Sequence, residues 1–479
     1  MEEWKKLRID CPYEILKIEK AKIICRGNEH GFLYVKCLLD DSMEFKYSIG
    51  ASTNDKVRLY EKQSDKEEKL FEGYISKVNT INSNGVYYLE IEALSGDIIL
   101  DIKKKSHSFQ NKNMSYDDLI KEVLKDYGKA DFVQCSDGKK KIDKPIFQYK
   151  ETDYEFLKRM ASMFGEQINC DIINIGNMFY FGKTSRRKHN LSDKTTYKIS
   201  NDIKIYNEVL SEEFKVNSID YVYYTITSRS IFFVGDEITF NNREFYVKEY
   251  VGEYIQGEMI FTYKLCRKNS VWQNKMHNEK LNGVSLEGKI QERRGEEVRI
   301  KLDIDGKDGE YWFRFAPPTG SIMYAMPIVN EHAMLYFSNE YEIPVVSGCV
   351  RKNGDTYSKF SNVNNRYFVT EQGNHMDILP EDIKFHRKNM YVIFNDDDGV
   401  EIRNSDDIKV NSDGRIKIKG KKVRIKAESK LLVKKKSSSS ILLEGDCYTE
   451  AEGVVYENGR ARESYVFNHN VVGMGGEDK

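Results

Sequence analysis

Gly399–Leu443 reads GVEIRNSDDIKVNSDGRIKIKGKKVRIKAESKLLVKKKSSSSILL. Apolar residues fall there as alternating pairs: Val400/Ile402, Ile408/Val410, Ile416/Ile418, Val423/Ile425, Leu431/Val433 and Ile441/Leu443. The first members step by 8, 8, 7, 8 and 10 residues, which makes an internal repeat of about eight. Mostly Lys, Arg or Glu separates the two members of a pair, so each repeat predicts one short strand with an apolar and a charged face, followed by a turn. Eight residues cannot circle a core, and a chain by itself would leave an apolar stripe in water. Three chains wound about one axis bury the stripe, turn the charges outward and pair each open strand edge with a neighbour. A homotrimeric, intertwined β-helix or prism is therefore expected over 399–479. An antiparallel meander within one chain is the alternative, and it calls for clearer hairpin turns than NSDG and KGKK.

Upstream, Leu286–Arg351 carries five short apolar runs, among them EEVRIKLDI, YWFRFAPPTG and PVVSGCVR. That density suits a small closed barrel of the OB type, placed at 286–352. The polar stretch WQNKMHNEKL before it reads as a linker, 271–285. The first 270 residues read mainly as strands, with a hairpin signal at Asn84–Gly85 and a helical insert at about 115–165. Within the insert, Leu119, Ile120, Val123 and Leu124 recur at helical spacing after Ser115, with Gly128 as the stop. A second helix follows Thr152, which with Glu155 three residues on predicts a capping box, and Gly165 ends it.

Composition narrows the function. The 479 residues hold 75 Lys+Arg and 76 Asp+Glu, a net charge of −1 that argues against a surface built throughout for nucleic acid or anionic membrane. With 40% hydrophobic and 12% aromatic residues the chain can bury real cores. No apolar run reaches the ~18 residues of a membrane span, and the charged N-terminus does not read as a signal peptide. The eight cysteines are scattered without a CxxC pair, as expected of reduced packing thiols.

Three stretches carry a resemblance. IFQYKETDYEFLKRMASMFG, at Ile146–Gly165, is similar to the hub motif of contractile-injection spike proteins. That family comprises the valine-glycine repeat protein G (VgrG) of type VI secretion and the hub-plus-needle proteins of contractile phage tails and tailocins. Tyr311–Arg351 resembles the family's OB segment, and Gly373–Ser405 the segment leading into its needle. The needle departs from the family by lacking a regular Val-x-Gly phase and by being short. The resemblance implies a mainly β fold: a hub of two β-barrel-like subdomains at 1–270, the OB barrel, a connector at 353–398 and the needle. It implies a non-catalytic homotrimer that caps a tail tube, joins baseplate proteins and pierces a target envelope. It also implies assembly in the bacterial cytoplasm, delivery on contraction, and a small PAAR-like tip protein or cargo effector as partner. Candidate tip-docking residues are His469, Val471, Val472 and Met474. Related phage needles hold iron with a His-x-His at the tip; here His469 stands alone between Asn468 and Asn470.

Little speaks for catalysis. Arg351–Gly373 is too short for a cell-wall hydrolase domain, and no GxxxxGK[ST], GxSxG or HExxH occurs. The NDDDG run at Asn395–Gly399 lacks the spacing of a calcium loop and reads as a turn. No histidine pair shows metal-ligand spacing, and neither a cofactor nor a metal is expected. Lys409–Lys436 holds twelve Lys/Arg, which reads as the outward face of the needle; an OB module gripping polyanions is the rival function and a spike with hydrolase activity a second.

Overall fold

Alternation builds the first sheet. In Phe32–Leu38 the buried Leu33, Val35 and Cys37 point to one side while the residues between them are half-buried. This strand lies between Lys17–Arg26 and Val86–Ser95, antiparallel to both. Asn84 and Gly85, at φ 54° and 84°, form the two-residue turn joining Lys66–Ser83 to Val86–Ser95, the positive-φ pair that such a hairpin needs. Lys56–Gln63 and Lys6–Asp10 extend the sheet. A second group of strands comprises Tyr197–Asn201, Val222–Ser228, Arg243–Ile255 and Glu258–Cys266. The groups are continuous, because Glu249–Glu253 pairs with Lys22–Arg26 and makes one twelve-stranded sheet. The computed structural model describes residues 6–43, 45–63, 66–128, 130–192, 194–211, 217–317, 325–341, 343–349, 362–435, 439–444 and 446–451.

The helical insert follows its caps. Ser115 Oγ accepts from the Asp118 N–H at 3.1 Å and starts the Tyr116–Leu124 helix. Thr152 Oγ1 accepts from the Glu155 N–H at 3.1 Å while Glu155 Oε2 accepts from the Thr152 N–H at 3.0 Å, fixing Asp153–Ser162. Their buried faces meet in a core with Phe109 stacked on Phe156 at 5.4 Å. Arg159 is buried there, and its guanidinium holds Glu151 through Nε–Oε1 at 2.9 Å and Nη2–Oε2 at 2.7 Å. A further helix, Ile203–Ser211, interrupts a stretch whose sequence reads as strands; Asp202 accepts from the Ile205 N–H and caps it. Among the described residues six thiols are free, with Cys25, Cys37, Cys170 and Cys266 buried and the Cys25 and Cys170 sulfurs 3.7 Å apart.

Ser285–Arg294, Glu297–Leu302, Phe313–Ala316, His332–Tyr336 and Val345–Cys349 close into a five-stranded barrel, the only closed one among the described residues. The polar stretch before it is docked rather than slack. Met276 N–H donates to Ser162 Oγ at 2.8 Å, Asn278 Nδ2 to the Tyr149 carbonyl at 2.9 Å, and Asn28 Nδ2 to Gln273 Oε1 at 2.8 Å. Its polar side chains and amides thus serve the main chain and side chains of the hub. Phe147, on the hub strand Ile146–Thr152, enters the barrel core edge-on to Phe337 at 4.9 Å. Asp305 of the barrel accepts from both the Ser108 N–H and its hydroxyl, at 2.6 and 2.8 Å. Sheet, insert and barrel accordingly make one compact unit, Met1–Tyr357.

Ser358–Lys479 is a second unit. It opens with a five-stranded antiparallel meander: Arg366–Val369, His375–Ile378, Asp382–Arg387, Met390–Asn395 and Gly399–Arg403. Residues 404–430 form no strand and no ladder among the described residues, and Leu431–Lys435, Ser439–Glu444 and Asp446–Ala451 form a three-stranded sheet. No helix among the described residues is long and apolar enough to cross a membrane.

Candidate functional site: an exposed apolar face

The meander has two unlike sides. Its register aligns Phe368, Met376, Phe385, Val392 and Ile402 in one row, and Ile378, Ile383, Phe394 and Val400 in the next. Side chains alternate across a strand, so both rows project from the same side. Most of these residues are 40% to 63% exposed in the single chain. The opposite side is largely polar: Tyr367, Asp377, Lys384 and Glu401 in one row, His375, His386, Tyr391 and Arg403 in another. There Asn395 Nδ2 donates to Asp382 Oδ1 at 2.6 Å and Lys384 Nζ lies 2.8 Å from Oδ2, which together hold that carboxyl below its usual range. The NDDDG run is the turn into the last strand, with the Asp397 and Asp398 N–H groups donating to Asn395 Oδ1. Val400 and Ile402, the first pair of the octad series, thus belong to the meander as well.

The same apolar character continues along the extended stretch. The chain bends at 405–406, 413–414, 421–422 and 428–429, in steps of eight, eight and seven. Between the bends Ile408, Val410, Ile416, Ile418, Val423 and Ile425 stand 52% to 74% exposed. Among the described residues no backbone–backbone hydrogen bond is made within 405–429. Backbone groups there are served only by short side-chain bonds, such as Gly414 N–H to Ser412 Oγ, while the aliphatic side chains stand exposed, a combination that a finished fold does not leave in water.

The last two pairs behave differently from the expected rungs. Leu431 pairs with Leu443 and Val433 with Ile441, so these strands fold back on each other as a hairpin rather than continuing the extended run. The step of ten residues across the serines Ser437–Ser440 leaves room for that reversal. Even so, Val433, Ile441 and Leu443 remain exposed. His469, Val471, Val472 and Met474 lie outside the described residues.

Two further features sit elsewhere. The Arg294 and Arg299 guanidinium groups both lie over the Trp312 ring, at 4.5 and 4.6 Å, beside a cavity of about 530 Å³ on the barrel. On the polar side of the meander, His375, Asp377 and His386 come together. The spacing of the histidines gives no hint of that cluster, because it depends on the register of two strands; His-x-Asp on one strand is the only local signal.

The continuous sheet with its helical insert and attached small barrel has a VgrG-like fold. No family model and no curated protein matches the chain. Among solved structures, it is similar to the E. coli c3393 protein, a component of the type VI secretion system with structural similarity to the T4 bacteriophage tail proteins gp27 and gp5. The TM-score is 0.55 at 13% identity, covering 72% of this chain and 100% of that one. It is also similar to a chain of the lidded Francisella PdpA–VgrG complex, with a TM-score of 0.55 at 9% identity over 84% of this chain and 80% of that chain. The lidless PdpA–VgrG complex gives 0.52 at 9% identity, with 84% and 98% coverage.

Proposed function

We propose that this protein is a non-catalytic, homotrimeric spike of a contractile injection or phage-tail-like machine, capping the tail tube through its hub. The observation that carries this is the apolar face running from Phe368 to Ile425, exposed in one chain and backed by a polar side. Two partner copies would cover it and pair the strand edges left open at 405–429. The charged residues between the aliphatics would then face solvent around a stiff rod. Similar solved structures of type VI and tail proteins support a structural tail or baseplate role. Tube and baseplate proteins, a small tip protein or an effector, and the target envelope are the partners proposed, with no nucleic acid. Light scattering on the purified full-length protein tests the reading: three chains per particle are expected, with resistance to SDS. A monomer at micromolar concentration overturns it, and salt-dependent retention of single-stranded DNA by such a monomer would favour a polyanion-binding module.

A further inference from the structure

The strands His375–Ile378 and Asp382–Arg387 place three ligand-type side chains on the polar side of the meander. His375 faces His386 directly across the ladder, and Asp377 follows two residues along on the same side. The two imidazoles stack 4.4 Å apart with their planes 14° from parallel. His386 Nε2 lies 3.0 Å from Asp377 Oδ2, and His375 Nδ1 lies 4.0 Å from Asp377 Oδ1. All three side chains are half-buried, and one donor atom from each falls within 4.8 Å of the others.

Asp377 Oδ1 is buried and has no hydrogen-bond partner. A carboxylate oxygen withdrawn from water and left unmatched is costly. Lys384, directly opposite Asp377 in the register, is paired instead with Asp382 at 2.8 Å. A cation between the imidazoles and the carboxylate would satisfy that oxygen.

We infer that His375, Asp377 and His386 form a binding site for a divalent transition-metal ion of the zinc type. Two imidazole nitrogens with one carboxylate oxygen suit such an ion, whereas calcium and magnesium favour all-oxygen sites. Donors ~2.0–2.2 Å from one tetrahedral zinc lie about 3.3–3.6 Å from each other, so side-chain rotation within the present 4.8 Å spread would have to close the set only modestly. Three protein ligands leave a coordination position open. Both histidines border a hollow of about 540 Å³, so water or a donor from another molecule can fill that position. The ion would staple two adjacent strands where the chain passes toward the extended repeats.

The test uses the full-length protein, stripped with a chelator and titrated with zinc chloride alone. One zinc per chain is expected, with an absorption spectrum showing two histidines in a nitrogen/oxygen shell at about 2.0–2.1 Å. His386→Gln and Asp377→Asn should each weaken binding by at least the ~10–100-fold that even an outer-sphere partner contributes. Zinc should raise the unfolding midpoint of the parent protein and not that of either variant. His469→Ala should change neither reading. Failure of the parent to take up zinc, retention by both variants, or loss with His469→Ala instead would each overturn the assignment. Should a variant fail to fold, the parent's stoichiometry and histidine count decide.

Discussion

Ile418→Ala is the sharpest probe of the apolar stripe. Ile418 is 74% exposed in the single chain. On a monomer surface its truncation would shift stability by no more than ~0.5 kcal/mol. In a core shared by three chains, the same truncation removes a buried aliphatic at about 2–4 kcal/mol per copy. Each trimer carries three copies, so the assembly loses about 6–12 kcal/mol if the sites act independently. Lys417→Ala, one residue away on the charged side, is the control and should stay within ~0.5 kcal/mol. The assay is urea- or SDS-driven dissociation of the full-length protein followed by light scattering. Ile418→Ala should dissociate at far lower denaturant than the parent, with Lys417→Ala unchanged. Equal behaviour of Ile418→Ala and parent, or equal weakening by both substitutions, would refute a shared core.

Three other outcomes concern the hub and barrel. Burial lowers the proton affinity of His30, but Asp97 at 2.9 Å and Asp101 at 3.2 Å outweigh it, and the imidazole is raised above 6.5. Its contribution to stability is therefore complete below about 6.5 and is lost as pH climbs through the raised value, so the hub should melt lower at about pH 9 than at about pH 6, a difference His30→Gln should shrink. Arg159→Met strands the Glu151 carboxylate, 7% exposed, in the insert core. The expected loss is ~3–5 kcal/mol in urea unfolding, largely recovered by adding Glu151→Gln. Phe147→Ala empties a hub side chain from the barrel core; ~3–5 kcal/mol should be lost, and amide exchange should rise in Val298 and Ile300 together with Ile146–Thr152.

Features carried by neighbouring residues were the ones legible in the sequence. Ser115 with Asp118, Thr152 with Glu155, and the Asn84–Gly85 turn are local chemistry, and each stands where its residues place it. The barrel strands at 285–349 were legible from their alternation. Pairings between distant segments were not. Arg243–Ile255 meets Lys17–Arg26 across more than two hundred residues, and the parallel pairs Lys188–Asn190 with Glu237–Phe240 and Phe313–Ala316 with Val345–Cys349 are equally silent locally. The Ile203–Ser211 helix was hidden among β-branched residues, with Asp202 as the overlooked cap. Polarity misled at Trp272–Leu281, where the hydrogen bonds go to the hub instead of water. Of the apolar stripe, the octads were plain to read, whereas the row Phe368–Met376–Phe385–Val392–Ile402 needs the register of five strands.

The unladdered stretch at 405–429 bears on biogenesis. Ordering its backbone costs roughly 1–2 kcal/mol per residue, with no backbone ladder among the described residues to offset it. In the proposed trimer, sister chains supply the missing bonds, and this step of maturation would then be second order or higher in protein concentration. Dilution would leave nascent molecules with a finished head and an unfinished tail, whereas crowding on one polysome would favour completion.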